Sequence, residues 1–194
     1  MAKRIGVFCG SSCGAHSCYA EAATALAQYL ADRGIGIVYG GGKVGLMGTL
    51  ADAALAAGGE IIGVIPRALE SKELAHTGLS DLRVVGSMHE RKALMAELSD
   101  AFIALPGGYG TFEEFCEVLT WTQLGFHRKP CGILNVEGYY DHLLKLFDRA
   151  VAEEFVKPAH RAMVLADSNH EALVKNLVDY KLPFVDKWIA RSET

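Results

Sequence analysis

The 194-residue sequence predicts an α/β fold, a three-layer Rossmann-like open parallel sheet with helices on both faces. Three observations carry that expectation. Short β-rich runs alternate with segments of helical periodicity, glycine marks each handover, and no repeat, low-complexity tract or linker interrupts the alternation. The length suits a single domain spanning 1–194, and 51% hydrophobic against 22% charged residues is a globular balance.

In chain order, strands are expected at Ile5–Cys9, Gly36–Tyr39, Ile61–Ile65, Arg83–Val85, Ala101–Leu105, Gly132–Leu134 and Met163–Leu165. Helices are expected near Cys18–Arg33, Leu46–Ala57, His89–Leu98, Thr111–Leu124, Tyr140–Glu154 and Glu171–Leu182. In the first, Tyr19, Ala22, Ala23, Leu26, Tyr29 and Leu30 recur at three- and four-residue intervals as one buried stripe, and Gly34 ends it. Parallel sheets of this kind bind ligands beyond the carboxyl ends of their strands, so the loops after Cys9, Tyr39, Ile65, Val85 and Leu105 are where a site belongs.

Composition excludes several partners. A formal net charge of −4 gives no general pull toward a nucleic acid polymer or an acidic membrane surface, and no run of eighteen apolar residues could span a bilayer. Met1–Arg4 leads straight into the first strand, leaving no room for a signal peptide's apolar region. Cys9, Cys13, Cys18, Cys116 and Cys131 are odd in number and contain no C-x-x-C pair, so they read as reduced thiols of a cytoplasmic protein. Cys9, Cys13, His16 and Cys18 match no zinc spacing; small core-filling cysteines are the better reading, and no metal is expected.

Three glycine-rich turns follow strands. In Gly10–Ser11–Ser12–Cys13–Gly14, small residues allow close backbone approach, although Gly and Ser fill ordinary turns equally well. Gly40, Gly42 and Gly45 formally satisfy the G-x-G-x-x-G dinucleotide pattern. The ribose-binding acid that should accompany it is missing, because Glu60 precedes its strand instead of following it. A P-loop fails too, since Gly42–Lys43 is followed by Val44 rather than Ser or Thr. That turn is kept as one for the phosphate or the close backbone approach of an unspecified cofactor.

The third turn, Pro106–Gly107–Gly108–Tyr109–Gly110–Thr111–Phe112–Glu113–Glu114, is the strongest signal. Pro106 stops a strand, three glycines let the backbone curl, and Thr111 is placed to cap a new helix, so amides and a hydroxyl converge where a monophosphate would be held. Thr111 to Glu114 is equally a capping box, in which Glu114 would only bond back to the Thr111 amide. With Phe112, Phe115 and Leu119 facing the core, Glu113 and Glu114 diverge onto different flanks. A fourth segment, Met88–His89–Glu90–Arg91–Lys92, puts two cations at a helix start against its dipole, which points either to a nearby anion or to a solvated exposed turn.

Together, the P-G-G-x-G-T-x-x-E run of Pro106 to Glu114 and Met88 to Lys92 resemble the Lonely Guy (LOG) family. The similarity extends from Gly10–Ser12 through Gly40–Gly48 to Thr120–Trp121. Members of that family are cytokinin riboside 5′-monophosphate phosphoribohydrolases, which cleave AMP or its N6-substituted forms to free base and ribose 5-phosphate. The resemblance implies Arg91 and Glu114 as catalytic. It places Glu73, Met88, Lys92, Gly107, Gly108, Tyr109, Gly110, Thr111, Glu113 and Thr120 around the substrate, with Ser11, Ser12, Gly41 and Gly42 as further nucleotide contacts. It also implies a homodimer, and Trp121, Leu124 and Phe126 supply apolar bulk that either a subunit interface or the core would use. Related proteins carry a lysine decarboxylase label, but no lysine here stands in the setting a pyridoxal Schiff base needs. The glycosidic cleavage requires no metal or redox cofactor. A non-catalytic purine-nucleotide sensor is the alternative from another class.

Overall fold

The computed structural model describes residues 2–70 and 75–181. Seven strands, β1 (Arg4–Phe8), β2 (Gly36–Tyr39), β3 (Ile61–Pro66), β4 (Asp81–Val85), β5 (Ala101–Ala104), β6 (Cys131–Leu134) and β7 (Val164–Asp167), form one sheet in the order β4-β3-β2-β1-β5-β6-β7. Every pairing is parallel, and Ile5 of β1 faces Ile37 on one side and Ala101 on the other. The expected Rossmann-like architecture is therefore present. Strand order reverses at β1, so the loops leaving β1 and β5 diverge and open a crevice at their carboxyl ends.

The long helices are α1 (Ser17–Asp32), α2 (Gly45–Ala56), α4 (Met88–Leu98), α5 (Tyr109–Leu124), α6 (Asp141–Ala152) and α8 (His170–Asp179), and α3 (Arg67–Glu70) and α7 (Pro158–Arg161) are single turns. Alternate strand residues feed two cores. On one face Ile5, Val7, Ile37 and Ile103 pack against α1, α2 and α8; on the other Phe8, Val38, Val64 and Phe102 pack against α4, α5 and α6. Each fully buried aliphatic or aromatic side chain contributes roughly 1.5–3 kcal/mol.

Helix ends follow local chemistry. Gly34, at φ +65°, closes α1, with its amide donating to the Ala31 carbonyl (2.9 Å) and that of Ile35 to Leu30 (2.9 Å). At the start of α4, the Ser87 hydroxyl accepts from the Glu90 amide (3.1 Å) while the Glu90 carboxylate accepts from the Gly86 amide (2.7 Å). The single-turn helices escape sequence reading because four residues carry no period. The last helix ends at Asp179; Leu182, expected within it, lies outside the described residues. Among the described residues no helix is long and apolar enough to cross a membrane.

Candidate active site

The loop from Leu105 into α5 sorts its polar groups into two sets. Four successive carbonyls are engaged: Leu105 accepts from the Tyr140 hydroxyl (2.6 Å), Pro106 from the Gly10 amide (3.0 Å), Gly107 from the Tyr139 hydroxyl (2.5 Å) and Gly108 from the Phe112 amide (3.1 Å). The five amides of Gly107, Gly108, Tyr109, Gly110 and Thr111 donate to no described residue. They form the free amino end of a 16-residue helix, where an anion is favoured by both the unmet donors and the dipole.

Thr111 was expected to cap this helix, and the structure corrects that. The cap is Gly108, which has no side chain to offer, and α5 begins two residues early at Tyr109. Thr111 instead sits buried in the first turn with its hydroxyl against Gly107: a Cβ added at Gly107 would lie 2.1 Å from Oγ1. Gly108 and Gly110 have nothing within 4 Å of a notional Cβ, so packing does not demand glycine at either.

Glu114 does not turn back to a cap. Its Oε1 accepts from Arg91 Nη1 at 2.6 Å, and the two side chains are 8% and 9% exposed. Arg91 Nε donates to the Val64 carbonyl (3.1 Å), and a Cβ on Gly40 would lie 2.0 Å from Nη2, so the guanidinium is seated against the carboxyl-end halves of β2 and β3. Burial pushes the Glu114 carboxyl above its ordinary value, with Arg91 opposing only part of that rise. The Cys9 thiol is likewise raised, first by burial and then by the Glu114 charge, and stays protonated rather than nucleophilic.

The two cations of α4 thus find anions on α5, which removes the exposed-turn alternative. Lys92, also buried, donates to Glu113 (2.5 Å) and Glu117 (2.9 Å) on the flank away from Arg91. Burial would lower the Lys92 ammonium, but the hydrogen bonds to Glu113 and Glu117 outweigh it and hold it above the ordinary lysine value.

The glycines of the second turn serve close packing. A Cβ at Gly41 would meet Ile65 and Leu82 at 3.1 Å, one at Gly45 would lie 2.3 Å from the Ser11–Ser12 backbone, and one at Gly48 would lie 2.2 Å from the Lys43 carbonyl. Gly41 also accepts from the His76 amide (2.9 Å), and Gly42 bridges Ala75. Glu60 is bound by Arg4 (2.7 Å) at the amino end of the sheet, far from any dinucleotide ribose position.

Ser11 and Ser12 line a cavity of about 300 Å³ with Gly10, Gly107, Gly108 and Tyr139. Met88 and Tyr109 are exposed, at 44% and 92%. Thr120 is exposed on α5, its hydroxyl donating to the Cys116 carbonyl (2.7 Å). Glu73 lies outside the described residues. Sequence reading missed Tyr139, Tyr140 and the Val64 carbonyl, which come from other strands and loops, and read Gly40 only as part of a dinucleotide pattern rather than as room for Arg91; the adjacent tyrosines after a glycine were the one visible signal for the first two.

Residues 47–177 match a protein family described as "Possible lysine decarboxylase". The chain is 52% identical over 190 residues to the cytokinin riboside 5′-monophosphate phosphoribohydrolase LOG5 of Arabidopsis thaliana, covering 98% of this chain and 83% of that one. LOG7 of the same plant, a phosphoribohydrolase of the same description, is 50% identical over 182 residues, covering 94% and 84%. Among solved structures, the molybdenum cofactor carrier protein of Chlamydomonas reinhardtii superposes with a TM-score of 0.71 over 93% of this chain and 100% of that one, at 23% identity, a likeness of fold alone. With half its residues shared with the plant phosphoribohydrolases over nearly its whole length, the chain belongs to the LOG family of cytokinin riboside 5′-monophosphate phosphoribohydrolases.

Proposed function

We propose that this chain hydrolyses the N-glycosidic bond of adenosine 5′-monophosphate and its N6-substituted cytokinin forms, releasing the base and ribose 5-phosphate. The observation that carries the reading is the buried Arg91–Glu114 pair, one helical turn from five amides that donate to no described residue. The amides of Gly107 to Thr111, the Thr111 hydroxyl and the serines Ser11 and Ser12 take the 5′-phosphate. Binding energy from that remote group fixes the ribose against Glu114.

Departure of the purine leaves positive charge on the ribose C1′. The Glu114 carboxylate stabilises that charge or takes a proton from the attacking water, and Arg91 orients it and offsets part of what burial costs its ionised form. Family resemblance adds Glu73, Met88 and Thr120 to the substrate's surroundings. Lys92 and Glu113 act mainly by tying α4 to α5, Gly41 by close packing against Ile65 and Leu82, and Gly42 through its bridge to Ala75. Because Lys92 is held as a doubly paired ammonium, it lacks the free amine of a Schiff-base lysine.

The face bearing Trp121, Leu124 and Phe126 supports a homodimer, although Trp121 also packs on the second core. Five free cysteines fit a cytoplasmic setting. Incubation with AMP and with N6-isopentenyl-AMP, followed by chromatography for free base, tests the activity. Tight binding of either nucleotide without base release would favour the sensor instead.

A further inference from the structure

We propose that Tyr139 and Tyr140 are positioning residues for the phosphate cradle, with Tyr139 fixing the direction of the Gly108 amide. The carbonyl of Gly107 and the amide of Gly108 belong to one planar trans peptide unit, so they point in opposite directions. Anchoring one aims the other. The Tyr139 hydroxyl donates to the Gly107 carbonyl (2.5 Å) and the Tyr140 hydroxyl to that of Leu105 (2.6 Å). Pro106 and Gly108 carbonyls are held by backbone donors, and the Leu105–Pro106 unit held by Tyr140 carries no N–H, so Gly107–Gly108 is the amide-bearing unit of this loop whose orientation depends on a distant side chain. It is also the unit flanked by two glycines, whose backbone rotates at least cost.

The tyrosines follow a turn with left-handed backbone. Glu137 (φ 49°) and Gly138 (φ 71°) are consecutive left-handed residues, a conformation costing a non-glycine residue about 1 kcal/mol or more. Asn135 closes the turn, accepting from the Tyr140 amide (2.7 Å) and donating to Asp141 (2.8 Å). The two rings then stand at 88°, 5.0 Å apart, with Tyr139 edge-on to Tyr19 and Tyr140 to Phe112. Tyr139 is part of the wall of the cavity that the first and third glycine turns share.

The proposal rests on the phosphate-binding part of the proposed function, and its test separates the two. Tyr139→Phe removes the hydroxyl and keeps both ring contacts, so it is expected to melt with wild type. Titration with ribose 5-phosphate should show Kd rising about 3- to 10-fold, the range of one net hydrogen bond. With AMP, KM should rise by a similar factor at nearly constant kcat, while the slow turnover of adenosine, which lacks the phosphate, should not change. On adding ribose 5-phosphate, the Gly108 amide proton should shift less in the variant than in wild type. Unchanged affinity for ribose 5-phosphate overturns the proposal, as does an equal loss toward AMP and adenosine, the mark of a general structural role. Should wild type bind ribose 5-phosphate yet release no base, the hydrolase reading fails and the titration alone decides for or against Tyr139. If wild type does not bind ribose 5-phosphate, both fail.

Discussion

Replacing Glu114 by glutamine separates what its charge does from what its shape does. The amide keeps the side chain's length and can still accept from Arg91 Nη1 through its carbonyl oxygen, so the 2.6 Å contact survives and the charge is lost. For a cation developing about 4 Å from the carboxylate at an effective dielectric near 20, the lost attraction is about 4 kcal/mol, or roughly 10³ in kcat. Stability should move the other way. The Glu114 carboxyl is raised by burial, so the folded state binds its proton more tightly than the unfolded chain does. The ionised group therefore costs stability that is absent below the unfolded carboxyl value and grows as pH rises through the folded one. Glu114→Gln should then melt no lower than wild type at pH 7, with the advantage disappearing on acidification. Wild-type turnover should rise with pH through the raised Glu114 value, whereas the variant's residual rate should not. Base release from AMP and calorimetric melting at pH 7 and pH 4 measure both arms. A rate loss under tenfold refutes the electrostatic role, and collapse of the fold would mean Glu114 is needed chiefly to build α5.

Gly40→Ala puts a methyl where Arg91 Nη2 lies, at a notional 2.0 Å, and should displace the guanidinium, costing about 1–3 kcal/mol and most of the base release; a fully active variant would show that Arg91 need not lie there. His127 accepts from the Lys129 amide (3.2 Å) through Nδ1, and its value is lowered to about 4, first by burial and then by Lys129. The unfolded chain thus takes up that proton first, and on the order of 3 kcal/mol is lost as pH falls from about 6.5 toward 4. His127→Asn retains an acceptor for the amide and removes the titration, so its melting temperature should fall less than wild type's over that window; parallel curves would refute the assignment.

Much of this protein was written in neighbouring residues. The alternation of strands and helices, the stripe of Leu26 and Leu30, the glycine stop at Gly34 and the amide-rich start of α5 all arise from local periodicity and turn chemistry, which near neighbours decide. The segment Pro106 to Glu114 could be picked out for the same reason. Its chemistry could not be settled there, because Thr111 and Glu114 have the spacing of a capping box, and only the position of Gly108 as cap freed Glu114 for another partner.

What tertiary structure decided were pairings between residues far apart in sequence. Arg91 reaches Glu114 across 23 positions because α4 and α5 lie on the same face of the sheet, which also gives Lys92 to Glu113 and Glu117. The second glycine turn fits a dinucleotide pattern letter by letter, yet its glycines make room for Arg91, Ile65 and the Ser11–Ser12 backbone. The tyrosines that hold the Leu105 and Gly107 carbonyls come from the turn that follows β6, the neighbour of β5. Sequence alone determined the fold class and singled out the loop whose amides donate to no described residue. Strand order brought the loops after β1 and β5 together and buried one carboxylate against one guanidinium, because contacts across a sheet depend on which strands are neighbours, a property no local window contains.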